Sequence, residues 1–197
     1  MYKIGITGSI GMGKSTIAKM FSYIGIPVHD SDKVVQKLLK KKEIISKIKK
    51  KWPMAVKENT LNKKFLRDRI FQNKLDKKYL ENIIHPLVEK EKKKFERENI
   101  HSKILVYDVP LIFETSTQKK YNLIILANCS NQAQKRRVLK RDNIDENTFN
   151  KIKQNQLSFD NKMKYNPLVI NTMKPKIFTF LKILLITLKI NMKKLYE

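Results

Sequence analysis

Gly8, Gly11, Gly13, Lys14 and Ser15 fall at fixed spacings in Gly8-Ser9-Ile10-Gly11-Met12-Gly13-Lys14-Ser15-Thr16, between the apolar run Tyr2 to Thr7 and the helix-like Ile17-Ala18-Lys19-Met20-Phe21. Every fixed position of G-x-x-x-x-G-K-[ST] is filled, in the strand-to-helix setting that the pattern needs. Glycines let the backbone curl so that successive N–H groups point inward, the helix N-terminus adds partial positive charge, and a polyphosphate fits the resulting nest. Spacing then puts Lys14 at the outer phosphates of that group and the Ser15 hydroxyl on a magnesium ion, with Gly8, Gly11, Met12, Gly13 and Thr16 completing the cradle.

A second chemistry-bearing group follows one segment later. Ile26-Pro27-Val28-His29 is a short extended run into Asp30-Ser31-Asp32. Residues two apart on an extended chain share a face, so both carboxylates can be presented from a strand end. One carboxylate suits a hydroxyl or a metal in phosphoryl transfer; Asp and Ser are also favoured at helix N-termini, and the two aspartates can divide these roles.

The elements that must hold these residues are legible as periodicities. A helix from about Ser15 to Tyr23 ends at Gly25, the usual exit residue. Val34 to Lys51 reads as one amphipathic helix burying Val35, Leu38, Leu39, Ile45 and Ile48, stopped by Trp52-Pro53. Leu61 to Phe71 and Asp76 to Arg97 read as further helices, the second kinked or interrupted at His85-Pro86. Lys103 to Val109, Leu123 to Ala127 and Leu168 to Ile170 are runs apolar on both faces, as parallel strands covered by helices are. Ser130 to Arg141, with the basic cluster Arg136-Arg137 and Arg141, and Asp145 to Leu157 complete the helical set. Ile177 to Ile190 is too short for a bilayer and is broken by Lys182. It reads as a terminal helix docked through Phe178, Leu181, Leu184, Leu185 and Leu188. Strands alternating with helices around a phosphate loop give an α/β doubly wound parallel sheet, the fold of P-loop nucleoside triphosphate hydrolases. In one domain, the expected core is 1–33, 103–130 and 158–197, with a helical substrate insert over 34–102 and a small lid over 131–157.

Composition narrows the class. At 197 residues with 41% hydrophobic content, the chain can bury a core. A single cysteine, Cys129, rules out an internal disulfide and a thiol zinc cluster, which suits a reducing compartment. The net charge of +25 invites a nucleic-acid reading, yet the lysines spread over nearly every segment with no arginine-aromatic stripe. Abundant Lys, Asn and Ile together is what A·T-rich codons produce, so no specific nucleic-acid partner is expected. A positive field still concentrates polyanionic substrates. No targeting segment fits ahead of the loop, and no membrane partner is expected. Asn73-Lys74-Leu75-Asp76 spells the guanine-reading N-K-x-D, but it sits in a helical pattern where that motif closes a buried strand. All 5 glycines lie at or before Gly25, so the downstream D-x-x-G of GTP switches is absent. Of the classes that share the loop (GTP switches, motor-like ATPases, small-molecule kinases and nucleic-acid-remodelling enzymes), a motor lacks a second ATPase core or a partner-supplied arginine motif here, and a small-molecule kinase remains.

In detail the chain resembles the dephospho-coenzyme A kinases. The segments carrying the resemblance, in order, are IGIT with GSIGMGKST, IPVHDSD, LRDRIF, IIHPLV around His85, YDVPLIFE and RRVLKRD, over roughly residues 2 to 171. The resemblance implies phosphorylation of the ribose 3'-hydroxyl of dephospho-coenzyme A by ATP and magnesium, the last step of coenzyme A synthesis, in the cytoplasm; a monomer or small homo-oligomer is expected. It implies that Asp32 orients and deprotonates the acceptor hydroxyl and that Arg137 and Arg141 belong to the lid, at least one bearing on the transferring phosphoryl. It also implies that Pro110 and Leu111 line the coenzyme pocket, which His85 and Pro86 shape. A kinase of another small acceptor, such as a nucleoside monophosphate, is the alternative. Ser9 stands where the family often has a second glycine and Met12 where a small residue is common; both are expected to point outward from the loop.

Overall fold

Five of the extended runs pair as one sheet in the computed structural model, which describes residues 1–58, 60–142 and 145–193 apart from the side chains at positions 71, 141, 142 and 193. β1 (Tyr2–Thr7) leads through the glycine loop into α1 (Lys14–Tyr23) and β2 (Val28–Asp30). There follow α2 (Ser31–Leu38), α3 (Lys42–Lys51), a 3-10 turn (Pro53–Ala55), the hairpin strands β3 (Val56–Lys57) and β4 (Thr60–Leu61), α4 (Lys63–Gln72) and α5 (Lys74–Glu98). The chain continues with β5 (Ile104–Asp108), β6 (Leu123–Asn128), α6 (Asn131–Asp142), α7 (Glu146–Gln154), α8 (Phe159–Met163), β7 (Leu168–Asn171) and α9 (Lys176–Lys193). It divides into two compact units, residues 1–30 with 99–197, and residues 31–98.

The first unit holds the sheet, ordered β2-β5-β1-β6-β7 and parallel throughout. All of β5 is buried, as are Ile4 and Ile6 of β1, which is what a parallel sheet covered on both faces demands. Ile17, Met20 and Phe21 of α1 pack into the same core with Ile125, Ile170 and Ile183. Register sets the working edge: Asp108 lies beside Ile6 on one side and Asp30 on the other, so β1, β5 and β2 end together. Bound groups in such folds sit outside the carboxyl ends of the strands, where this chain places its glycine loop.

The second unit buries Leu38, Ile44, Ile48, Trp52, Ala55, Leu66 and Ile84. The single helix expected over 34–51 is two helices, because Lys40 and Lys41 close onto Lys37 and Leu38 carbonyls and Lys41 adopts an extended conformation at the N-cap of α3. That break resets the helical phase, so Ile44 is buried where Ile45 was expected, and Val35, Leu39 and Ile45 are only partly buried. α5 runs through Pro86 without interruption. Asn73-Lys74-Leu75-Asp76 is the joint between α4 and α5: the Asn73 carboxamide accepts from the N–H groups of Leu75 and Asp76, and Asp76 pairs with Arg69 at 2.6 Å.

α9 buries a different face from the one its sequence suggests. Thr179, Ile183 and Ile190 are buried, with Phe180 and Ile186 packed beside them, whereas Phe178, Leu181, Leu185 and Leu188 of the expected docking stripe are exposed and Leu184 is half-buried. The helix is apolar nearly all round, and 179, 183, 186 and 190 form an equally regular i, i+4, i+7, i+11 row. Packing against α1 and the sheet chose that row. None of the described helices is long and apolar enough to cross a membrane.

Candidate active site

The loop between β1 and α1 needs glycine where the sequence supplies it. Gly8 has φ +143°, and a Cβ there would sit 2.7 Å from the Ala127 carbonyl oxygen. Gly13, the N-cap of α1, has φ +94° and leaves room for the Thr172 hydroxyl that a Cβ would meet at 2.9 Å. The helix therefore begins at Lys14 with its first N–H groups at the loop. The Lys14 ammonium donates to the carbonyls of Gly8 at 2.8 Å and Ser9 at 3.4 Å, folded over the loop. Ser15 is exposed on the first turn of α1, with Thr16 behind it.

Residues from the far end of the chain grip this loop from outside. Ile10 donates its N–H to Gln156 at 3.1 Å and accepts from the buried Gln134 carboxamide at 2.8 Å. Arg137 donates to the Gly11 carbonyl at 3.5 Å, and to the hydroxyl and carbonyl of Thr172, each at 3.0 Å. The Thr172 hydroxyl also lies 2.8 Å from the Met12 carbonyl. Lys162 donates to the Ser9 hydroxyl at 3.2 Å. Among these side chains is a cavity of about 190 Å³, floored by Leu126 and Ala127 and lined by Ser9, Gln134, Gln156 and Lys162.

Met12 does not point outward: it is buried in the sheet core, with its sulfur 3.5 Å from the Cys129 thiol, because the loop folds back onto the end of β6. Ser9 does not point outward either: it is half-buried, with its hydroxyl accepting from Lys162. Burial pushes the Cys129 thiol above its ordinary range, only partly offset by the nearby Arg137 charge, so it packs as a neutral group.

Pro110 joins the site through β1: the Thr7 hydroxyl donates to the Pro110 carbonyl at 3.0 Å, and Leu111 follows. The Arg141 side chain lies outside the described residues, although its backbone belongs to α6. In the second unit, Asp32 is exposed in the first turn of α2, two residues beyond β2 in the chain. His85 and Pro86 are exposed on α5. Sequence reasoning did not single out Gln156, Lys162 or Thr172, which are isolated polar residues in helices and loops, and it met Gln134 only as part of a helix start.

A family model for dephospho-CoA kinase matches residues 2–175. A dephospho-CoA kinase of Buchnera aphidicola is 40% identical over 156 residues, covering 77% of this chain and 73% of that one. One from Bartonella quintana is 36% identical over 171 residues, covering 86% and 88%. A crystal structure from Thermus thermophilus superposes with a TM-score of 0.85 at 26% identity, covering 95% of this chain and 96% of its own.

Proposed function

This chain belongs to the dephospho-CoA kinase family, and from that premise we propose how its residues move the terminal phosphoryl of ATP onto the 3'-hydroxyl of dephospho-coenzyme A. The observation that carries this reading is the Lys14 ammonium folded over a glycine loop at the head of α1, at the carboxyl edge of a parallel sheet.

The loop N–H groups and Lys14 hold the β- and γ-phosphates. Transfer of a phosphoryl group asks little covalent work of the protein and much alignment and charge neutralisation. Asp32 accepts the proton of the 3'-hydroxyl as its oxygen bonds to the γ-phosphorus and the bond to the β-phosphate oxygen breaks, releasing ADP. Arg137 and Arg141 form the lid set, and at least one meets the charge on the moving phosphoryl, a contribution of about a thousandfold or more in related chemistry. Pro110 and Leu111, with His85 and Pro86, contribute to holding the coenzyme. Magnesium is held largely by substrate phosphates and few protein oxygens, a donor set that the exposed Ser15 hydroxyl fits; when bound, it would neutralise charge on the β- and γ-oxygens. The reaction belongs in the cytoplasm, where ATP is made available and Cys129 stays reduced.

The test is ADP release with dephospho-coenzyme A, a nucleoside monophosphate and shikimate offered in turn. Turnover is expected with the first alone, and turnover confined to either of the others would overturn the assignment. Asp32→Asn is expected to keep ATP affinity while kcat falls by about a hundredfold or more, the usual size of a general-base contribution. An Asp32→Asn enzyme at wild-type rate would remove Asp32 from that role.

A further inference from the structure

Lys162 is the one buried lysine among the described residues, 1% exposed. Taking an ammonium out of water is expensive unless it is paired and hydrogen-bonded, so its partners say what it is for. They are two: Glu114, beyond β5, whose Oε1 lies 3.1 Å from Nζ, and the hydroxyl of Ser9, 3.2 Å away in the phosphate loop. The same Glu114 oxygen also accepts the Leu157 N–H at 2.9 Å, fixing the carboxylate to the segment before α8. Ser9 is thus held by two ammonium groups, its hydroxyl by Lys162 and its carbonyl by Lys14.

We propose that Lys162, anchored by Glu114, is a positioning residue for nucleotide binding that acts through the Ser9 hydroxyl. The pair of opposite charges is close to neutral from a distance, so its effect is geometric. It fixes the second residue of the loop, and with it one of the carbonyls on which Lys14 rests. When Ser9 shifts, the Lys14 ammonium and the loop N–H groups lose their common alignment on the triphosphate. The Ser9 φ is not in the left-handed region, so Ser9→Ala removes the hydroxyl without backbone strain.

This inference rests on the reading of the loop as the ATP site, and the experiment separates the two. In the full chain, with dephospho-coenzyme A saturating, Ser9→Ala and Lys162→Met are each expected to raise the ATP KM roughly tenfold, the size of one lost charge-assisted hydrogen bond, with kcat within about threefold of wild type. Lys162→Arg is expected to recover most of that loss. The double variant Ser9→Ala with Lys162→Met is expected to be no worse than Lys162→Met alone, because both changes remove one interaction. If Lys162 served only to neutralise Glu114, Lys162→Met would lower the thermal midpoint and Ser9→Ala would leave the ATP KM unchanged; that result, or multiplicative effects in the double variant, overturns the proposal. Lys14→Ala in the same assay is the control. If it leaves ATP binding intact, the loop reading itself fails; if it abolishes ATP binding while Ser9→Ala does nothing, only the role of Lys162 fails.

Discussion

At the scale of single residues, two glycines with similar backbone angles make different demands. Gly13 and Gly25 both have positive φ, +94° and +77°, but a Cβ on Gly13 would press on three atoms of Thr172 at 2.9 to 3.0 Å, while one on Gly25 meets nothing within 4 Å. Gly25→Ala is expected to cost only the left-handed conformation, about 1 to 2 kcal/mol of stability, with ATP affinity unchanged. Gly13→Ala adds a clash inside the loop and is expected to weaken ATP binding by about tenfold or more. Titration with a fluorescent ATP analogue, alongside urea unfolding of both variants, checks this; equal ATP affinities would show that the loop does not depend on its contact with Thr172. The glycine loop itself was readable because its spacing is dictated by one local turn of the backbone. Gln134, Gln156 and Lys162 reach the same loop from 124 to 153 residues away, and no local pattern distinguishes a glutamine that holds a buried carbonyl from one on a solvated face. Met12 was misread for a related reason. A loop pattern alone does not say which side chains the returning backbone lays against β6.

At the scale of elements, legibility followed how much each run constrained itself. All five strands of the sheet are found where apolar runs bounded by turns placed them, to within one or two residues, since a strand covered on both faces has little freedom of composition. Helices were found, but their faces and breaks were less secure. Nothing at Leu39 to Lys41 announces the break between α2 and α3, as neither glycine nor proline stands there. α9 is the sharpest case, because two apolar rows were available and only tertiary packing decided between them. The structure makes that choice measurable. Ile183→Ala, at a fully buried position, is expected to lower stability by about 2 to 5 kcal/mol, whereas Leu185→Gln, at a position 58% exposed, is expected to change it by no more than about 0.5 kcal/mol. Urea unfolding midpoints compare them directly. A Leu185→Gln loss as large as that of Ile183→Ala would mean that the 178, 181, 185, 188 row is the one that docks.

At the scale of the whole molecule, the most conspicuous number in the sequence, +25, is shared by nearly every segment and points to no single one. Charge spread over nearly every segment makes a long-range field that any polyanion feels, whereas in the proposed reading the loop would grip a triphosphate through N–H groups and one ammonium at contact distance. These two kinds of attraction respond differently to salt. Diffuse attraction to RNA works by counterion release, so affinity falls as a power of salt concentration; a chain covering about six to ten phosphates loses roughly a thousandfold or more between about 50 and 200 mM. Contacts inside a partly buried loop are much less screened. RNA retained at low salt is therefore expected to be lost by about 200 mM, while the ATP KM moves by less than about threefold over the same range and RNA leaves ATP turnover unchanged. Filter binding and coupled ADP release at matched salt concentrations measure both. RNA binding that survives physiological salt and stimulates ATP turnover would instead make the charge part of the function, and would require an RNA-contacting surface that the kinase reading does not use.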